Sequence, residues 1–252
     1  MGRVEGKVCI VTGGADGLGK ADAIVLAREG ATVVITDLNE EVGRRTAEEI
    51  GERALFVRQD VRDEDGWRDL VAMVEQKFGR LDVLVNNAGV LQRADIETVT
   101  LESWRFVMSV NVEGTFLGIK HAAPALRRAG GGSIVNMSST ATLQGYPGAP
   151  SYVAAKGAIS ALTKSVAMHF MKKGEKIRCN AVLPHNAESP MQKAGVEAAF
   201  AGVKPEDRPK IDTGSPFAIA NAVLFLASDE SSDINGYELN MDRGSSLIVG
   251  SL

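Results

Sequence analysis

Thr12-Gly13-Gly14-Ala15-Asp16-Gly17-Leu18-Gly19 follows directly on the β-branched run 7–12 (KVCIVT) and opens onto the amphipathic segment 18–29 (LGKADAIVLARE). Four glycines in seven residues, between a strand pattern and a helix pattern, form a tight turn that exposes backbone N–H groups. The helix that follows aims its positive end at the same place, so the turn suits an anion such as a pyrophosphate. The spacing is Gly13-x3-Gly17-x-Gly19 rather than the strict Gly-x-Gly-x-x-Gly, and an ordinary βα turn using glycine only for positive φ is the competing reading. Working outward, Asp37 ends the second apolar run, 31–36 (ATVVIT), 18 residues after Gly19. A carboxylate there accepts ribose hydroxyls and repels a 2′-phosphate. Leu38, Asn39, Gly14 and Ala15 bring no cation, so NAD is expected over NADP. The alternative for Asp37 is a cap on the helix pattern at 40–50.

Short apolar runs recur along the chain: 54–59 (ALFVRQ), 82–86 (DVLVN), 133–138 (SIVNMS), 177–183 (IRCNAVL) and a short seventh at 237–241 (YELNM). Blocks of this length read as strands covered on both faces. Helix patterns lie between them at 40–50, 64–78, 101–128, 151–172 and 216–228. This alternation predicts an α/β fold: a single-domain, Rossmann-like, doubly wound parallel sheet of about seven strands spanning 1–252. The least periodic stretch, 185–214, reads as a lid or substrate-binding loop, with Met191, Val196, Phe200 and Ile211 as its oily residues.

Composition excludes several classes. Glycine stands at 27 of 252 residues, about 11% against a usual ~7%, but without the three-residue period of collagen. Apolar content of 44% and a net charge of −4 argue against disorder and against a phosphate-backbone stripe, so no nucleic-acid partner is expected. Cys9 and Cys179 sit in strand patterns as buried hydrophobes, which fits a reducing compartment. The first apolar run is too short for a signal-peptide core, and no stretch has membrane length, so no membrane association and a cytoplasmic location are expected.

Asn86-Asn87-Ala88-Gly89, Asn111, Ser139 and the Tyr152-x3-Lys156 pair complete a series with Thr12–Gly19. In this order and spacing the chain resembles the short-chain dehydrogenase/reductase family from Lys7 to about Gly244. MGRV, FVRQDV and SSDINGYELNMD further resemble bacterial hydroxysteroid and alicyclic-alcohol dehydrogenases. The chemistry can be argued from the residues. Tyr152 and Lys156 are i and i+4 on one helix and share a face. A free tyrosine at about 10 is too weak an acid for the task, and a neighbouring ammonium lowers it. Ser139, 13 residues before Tyr152, can hold the substrate oxygen; its neighbour Ser138 reads as a support. SSTAT contains no Gly-x-Ser-x-Gly elbow for a nucleophilic serine.

The resemblance implies hydride transfer between NAD(H) and a secondary alcohol or ketone, alicyclic, terpenoid or steroid-like, with Tyr152 as general acid/base. It assigns Asn111 a water link in a proton relay toward Lys156, whose ammonium also meets the nicotinamide ribose. For the cofactor it implies Gly13, Asp16, Gly17, Leu18 and Gly19 at the phosphates, and Asp37 and Leu38 at the adenosine ribose. Asp60 and Val61 fall at the adenine and Asn87, Ala88 and Gly89 beneath the adenosine ribose. Pro184, Ser189 and Met191 fall near the nicotinamide with Tyr152 and Lys156. A purely structural Asn86–Asn87 pair stays open. His185 stands where the family has glycine, and with Gln144 is a candidate substrate contact; the other reading turns the imidazole aside. Arg243 replaces a usual glycine and belongs to the substrate edge or to a subunit contact. His121 and His169 read as structural, and no metal site is expected. The resemblance also implies a homotetramer built through 101–128 and 151–172. The rivals are a non-catalytic NAD-binding sensor or scaffold, and a dehydratase or epimerase on the same fold.

Overall fold

The computed structural model describes residues 2–204, 207–208 and 213–247. Strands and helices alternate from the start: β1 (Val8–Thr12), α1 (Gly17–Arg28), β2 (Thr32–Asp37), α2 (Glu40–Ile50), β3 (Ala54–Arg58), α3 (Glu64–Phe78) and β4 (Val83–Asn86). They continue through α4 (Leu101–Met108), α5 (Gly114–Arg128), β5 (Gly132–Met137), α6 (Ala141–Gln144), α7 (Pro150–Lys172) and β6 (Ile177–Pro184). The chain then runs through α8 (Pro190–Ala199), α9 (Pro216–Ala227) and β7 (Glu238–Met241). The seven strands form one parallel sheet in the order β3-β2-β1-β4-β5-β6-β7.

Alternate side chains of each central strand feed opposite layers, which is why the strands read as unbroken apolar runs. On β1, Cys9 and Val11 join one cluster with α1 and α9 residues such as Val25, Ile219 and Val223. Val8 and Ile10 join the other, with Trp67 and Leu70 of α3 and Leu126 of α5. Both cysteines are buried and free, and burial raises the Cys9 thiol and pushes that of Cys179 up to about 12. A polar ladder crosses the core between β4, β5 and α7: Asn86 Nδ2 donates to Asn136 Oδ1 (2.9 Å) and Asn136 Nδ2 to Thr163 Oγ1 (2.9 Å).

Two local features differ from the sequence expectation. The pattern at 101–128 is one long helix whose middle, Ser109–Glu113, is a π-turn, with the Gly114 N–H donating to Ser109 O five residues back. Asn111 causes part of this, because its Nδ2 takes the Val107 carbonyl one turn earlier (2.9 Å). The stretch 185–214 holds the ten-residue helix α8, capped by Ser189 Oγ accepting from Gln192 N (3.1 Å), with Pro190 at its first position. Ile211, expected on the lid, lies outside the described residues. Sheet order reverses between β1 and β4, and in such a sheet a crevice opens beyond the carboxyl ends of those two strands.

Candidate active site

A cleft of about 650 Å³ occupies that crevice and runs under α8. At its first end lies the glycine turn. Gly13 (φ 62°) and Gly17 (φ 58°) adopt the left-handed conformation, and a Cβ on Gly13 would fall 2.8 Å from Ala88 Cα. Asp16 caps α1, its Oδ1 accepting from Gly17 N (2.6 Å). Thr12 and Asn87 clasp the ends of β1 and β4 together. Thr12 Oγ1 accepts from Asn87 N (3.1 Å) and Ala88 N (3.0 Å), while Asn87 Nδ2 donates to Thr12 O (2.9 Å) and Gly13 O (3.0 Å). Asn86 thus serves the core and Asn87 shapes the turn. Asp37 lines the cleft, with Oδ2 accepting from Ala15 N (3.3 Å) and Oδ1 from Asn39 N (3.0 Å). The cap of α2 is Asn39, whose Oδ1 accepts from Val42 N (3.2 Å), so the capping alternative for Asp37 falls away.

Gly13, Asp16, Gly17, Leu18, Asp37, Asn87, Ala88 and Gly89 all line the cleft. Gly19 does not; it packs against Gly13 O and Asn87 and holds α1 tight on the turn. Leu38 is exposed and outside the lining. The Asp60 carboxylate is engaged by the Arg62 guanidinium (2.6 Å), which holds it below the usual carboxylate range. Val61 is buried, with its carbonyl accepting from Trp67 Nε1 (2.8 Å).

At the other end Ser139, Tyr152 and Lys156 converge from β5 and α7. The Ser139 hydroxyl lies beside the Tyr152 phenol, and Lys156 Nζ lies 5.5 Å from the centre of the Tyr152 ring. Lys156 is only 4% exposed and donates to Met137 O (2.7 Å). Burial pushes its pKa down to about 8. Burial also raises Tyr152 above the usual tyrosine value, and the Ser139 hydroxyl opposes this only in part. The lowering of Tyr152 expected from the i, i+4 spacing is therefore not produced in these surroundings, because desolvation outweighs it. Ser138 Oγ donates to Lys156 O (3.0 Å) and meets Ser160 Oγ (2.9 Å), a support for the helix that carries Lys156.

Asn111 is fully buried behind this group. Its Nδ2 donates to Val90 O and Val107 O (2.9 Å each), and its Oδ1 has no hydrogen-bond partner. That oxygen points at the same spot as Lys156: a Cβ placed on Gly89 would lie 2.6 Å from Asn111 Oδ1 and 3.4 Å from Lys156 Nζ. The π-turn is what sets Asn111 on this face.

His185 lines the cleft half-buried, its Nδ1 held by Thr140 Oγ1 (3.2 Å) and its backbone N–H donating to Met241 O (3.2 Å). Gln144, Pro184, Ser189 and Met191 line it too, the Ser189 hydroxyl being committed to the α8 cap. Arg243 is the one described non-glycine residue with positive φ (54°), which gives a physical reason for glycine at this place in the family pattern.

The family model described as enoyl-(acyl carrier protein) reductase matches residues 13–246, nearly the whole sheet and cleft. The chain belongs to the short-chain dehydrogenase/reductase family. Similar members include a 3-beta-hydroxysteroid dehydrogenase of Comamonas testosteroni, 40% identical over 248 residues that cover 96% of each chain. A trans-4-hydroxycyclohexanecarboxylate dehydrogenase of Sinomonas cyclohexanicum is 41% identical, covering 96% of this chain and 93% of its own. A 3-oxoacyl-[acyl-carrier-protein] reductase of Thermotoga maritima is 38% identical, at 96% and 98%. Three chemistries at near-equal identity show that overall likeness does not select the substrate. Dehydrogenases of this family work with nicotinamide cofactors, and the glycine turn with the Asp37 carboxylate beyond it fits the phosphates and ribose of such a group.

Sequence reasoning named Thr12 only as the start of the glycine turn, without a role, and missed Thr140, Arg93 and Tyr146 as parts of the site. Thr12 sits at the strand end directly before the glycines, and that position was its only signal. The others depend on loops that meet only in the folded chain.

Proposed function

We propose that this short-chain dehydrogenase/reductase interconverts a secondary alcohol and a ketone with NAD(H), and that Ser139, Tyr152, Lys156 and Asn111 carry the proton chemistry. The observation that supports this most is the meeting of Ser139, Tyr152 and buried Lys156 in one cleft that begins at the glycine turn. Gly13, Gly17 and the start of α1 would hold the phosphates, and Asp37 the adenosine ribose, its charge rejecting a 2′-phosphate. When bound, the nicotinamide supplies the hydride acceptor or donor, and in oxidised form a positive charge.

Ser139 donates a hydrogen bond to the substrate oxygen and fixes it beside Tyr152. Tyr152 takes the hydroxyl proton during oxidation and returns it during ketone reduction. Desolvation disfavours the phenolate form of Tyr152, which favours the donating role. Lys156 places a cation beside the ring, and the free Asn111 oxygen can accept a hydrogen bond from a water that carries the proton onward. The substrate class that fits the cleft is an alicyclic, terpenoid or steroid-like alcohol.

Assembly as a homotetramer through α4–α5 and α7 is supported by the exposed apolar side chains Leu101, Phe106, Phe116 and Met168 on those helices. No helix among the described residues is long and apolar enough to cross a membrane, and two free cysteines suit a cytoplasmic setting.

A panel of secondary alcohols and ketones with NAD and NADP, followed by absorbance of the reduced nicotinamide, tests this reading. Net redox with at least one alcohol supports it; NAD binding without redox would support the sensor, and turnover without net redox the dehydratase or epimerase. Tyr152→Phe should abolish turnover and keep cofactor affinity within a few-fold. Retained turnover would remove Tyr152 from the mechanism.

A further inference from the structure

The substrate end of the cleft is mostly apolar or neutral, with Leu91, Met191, Val196, Ala199 and Phe200 among its walls, yet one guanidinium faces into it. Arg93 enters from the loop after β4, and three separate segments hold it. The Tyr146 hydroxyl accepts from Arg93 Nη1, and the guanidinium carbon sits 5.4 Å from the centre of the Tyr146 ring. Ala94 N donates to Gly148 O (3.1 Å), tying the Arg93 loop to the Tyr146 loop. Over the far side of the guanidinium, α8 carries Gly195, where a Cβ would lie 2.9 Å from Nη2.

What this cation lacks is an acid. Arg93 forms no ion pair among the described residues, and the two carboxylates that line the cleft, Asp16 and Asp37, belong to the glycine-turn end. Arg93 is solvent-exposed at the cleft mouth; Tyr146 orients its fork without neutralising it, and Nη2 and Nε lie beside Gly195 of α8. An arginine fork presented this way matches a carboxylate, and the oily walls match a hydrocarbon ring.

We propose that the substrate is an alicyclic alcohol or ketone carrying a carboxylate, and that Arg93 receives the carboxylate while the carbinol carbon faces Tyr152. This rests on the dehydrogenase reading and names its substrate class. Arg93 acts as a specificity residue; the proton chemistry stays with Tyr152.

The test compares kcat/KM for 4-hydroxycyclohexanecarboxylate and 4-methylcyclohexanol, rings of similar size that differ in charge. The wild type should prefer the carboxylate. Arg93→Met should lower that preference about 10- to 100-fold, mainly through KM, the scale of a lost charge-assisted hydrogen bond. Arg93→Lys should keep part of it, and Tyr146→Phe, which retains the ring but frees the fork, should lower it several-fold. Added salt should raise KM for the carboxylate alone. An Arg93→Met ratio equal to wild type would overturn the proposal. Turnover of the neutral alcohol with no preference for the acid would overturn it while leaving the dehydrogenase reading intact. Absence of redox with every alcohol and ketone of the wider panel would remove both.

Discussion

Lys156 offers a quantitative test, because its amine is buried while the role proposed for it asks for charge. The folded chain holds it at about 8 against an ordinary 10.5, and desolvation is the cause. Between those two values the unfolded chain binds more protons than the folded one, so stability rises with pH across that window. Keeping the charged amine buried costs about 3 kcal/mol at pH 7 and about 1.4 kcal/mol at pH 9.5. Lys156→Met carries no titrating group at this place. The stability gap between the two proteins should therefore move in favour of wild type by about 2 kcal/mol between pH 7 and pH 9.5. The absolute gap is a poorer measure, since the variant also loses the bond to Met137 O, itself worth about 1.5–3 kcal/mol as a charged hydrogen bond. Urea unfolding followed by far-ultraviolet circular dichroism, at half-unit steps of pH, reads the gap. The range stops short of the raised Tyr152 value, where a second group would titrate. A gap that stays constant to within about 0.5 kcal/mol would show that the Lys156 amine is not shifted, and the desolvation argument would fall.

Three further outcomes follow from the geometry. Asp37→Ser should weaken NAD binding about 10-fold and narrow the preference over NADP, as read by titration with each dinucleotide. Gly19→Ala drives a Cβ into the Gly13 carbonyl and the Asn87 amide, and the backbone there has little room to yield. It should lower stability by about 1–3 kcal/mol and loosen cofactor binding, seen together in a thermal melt with and without NAD. His185→Gly removes an imidazole that Thr140 holds at the cleft wall and should change KM or kcat for at least one alcohol. Unchanged kinetics across a panel would make His185 a bystander.

The sheet was legible because its central strands are buried on both faces, so each writes an unbroken apolar run bounded by polar residues. The end of β2 at Asp37 and the start of α7 at Pro150 lie within a residue of the pattern. The π-turn was not legible: 101–128 has helical periodicity throughout, and the local widening depends on an Asn111 side chain choosing a backbone carbonyl. Helix α8 was legible in principle, since Ser189-Pro190 is a capping pair, but its mixed residues hid any apolar period. In the site, Ser139, Tyr152, Lys156 and the glycine turn could be read from spacing because each lies at a strand end or on a single helix. Arg93 could not, as its role needs residues 93, 146 and 195 to meet. Nor could the direction of the Tyr152 shift, because spacing gives neighbours and says nothing of how much water they exclude.

The π-turn at Ser109–Glu113 carries a constraint on how this chain can change its length. The turn takes up one residue more than a regular α-turn, so it changes which side chain faces inward there without redirecting the helix on either side. Deleting one residue of the five would close the turn to regular α-helical winding and remove the local widening that presents Asn111 toward Lys156. A deletion of equal size at 95–99, past the residues that line the cleft, would shorten an exposed connection. Length differences among relatives should therefore collect in that loop and stay out of the helix middle, where one missing residue does more harm than most substitutions.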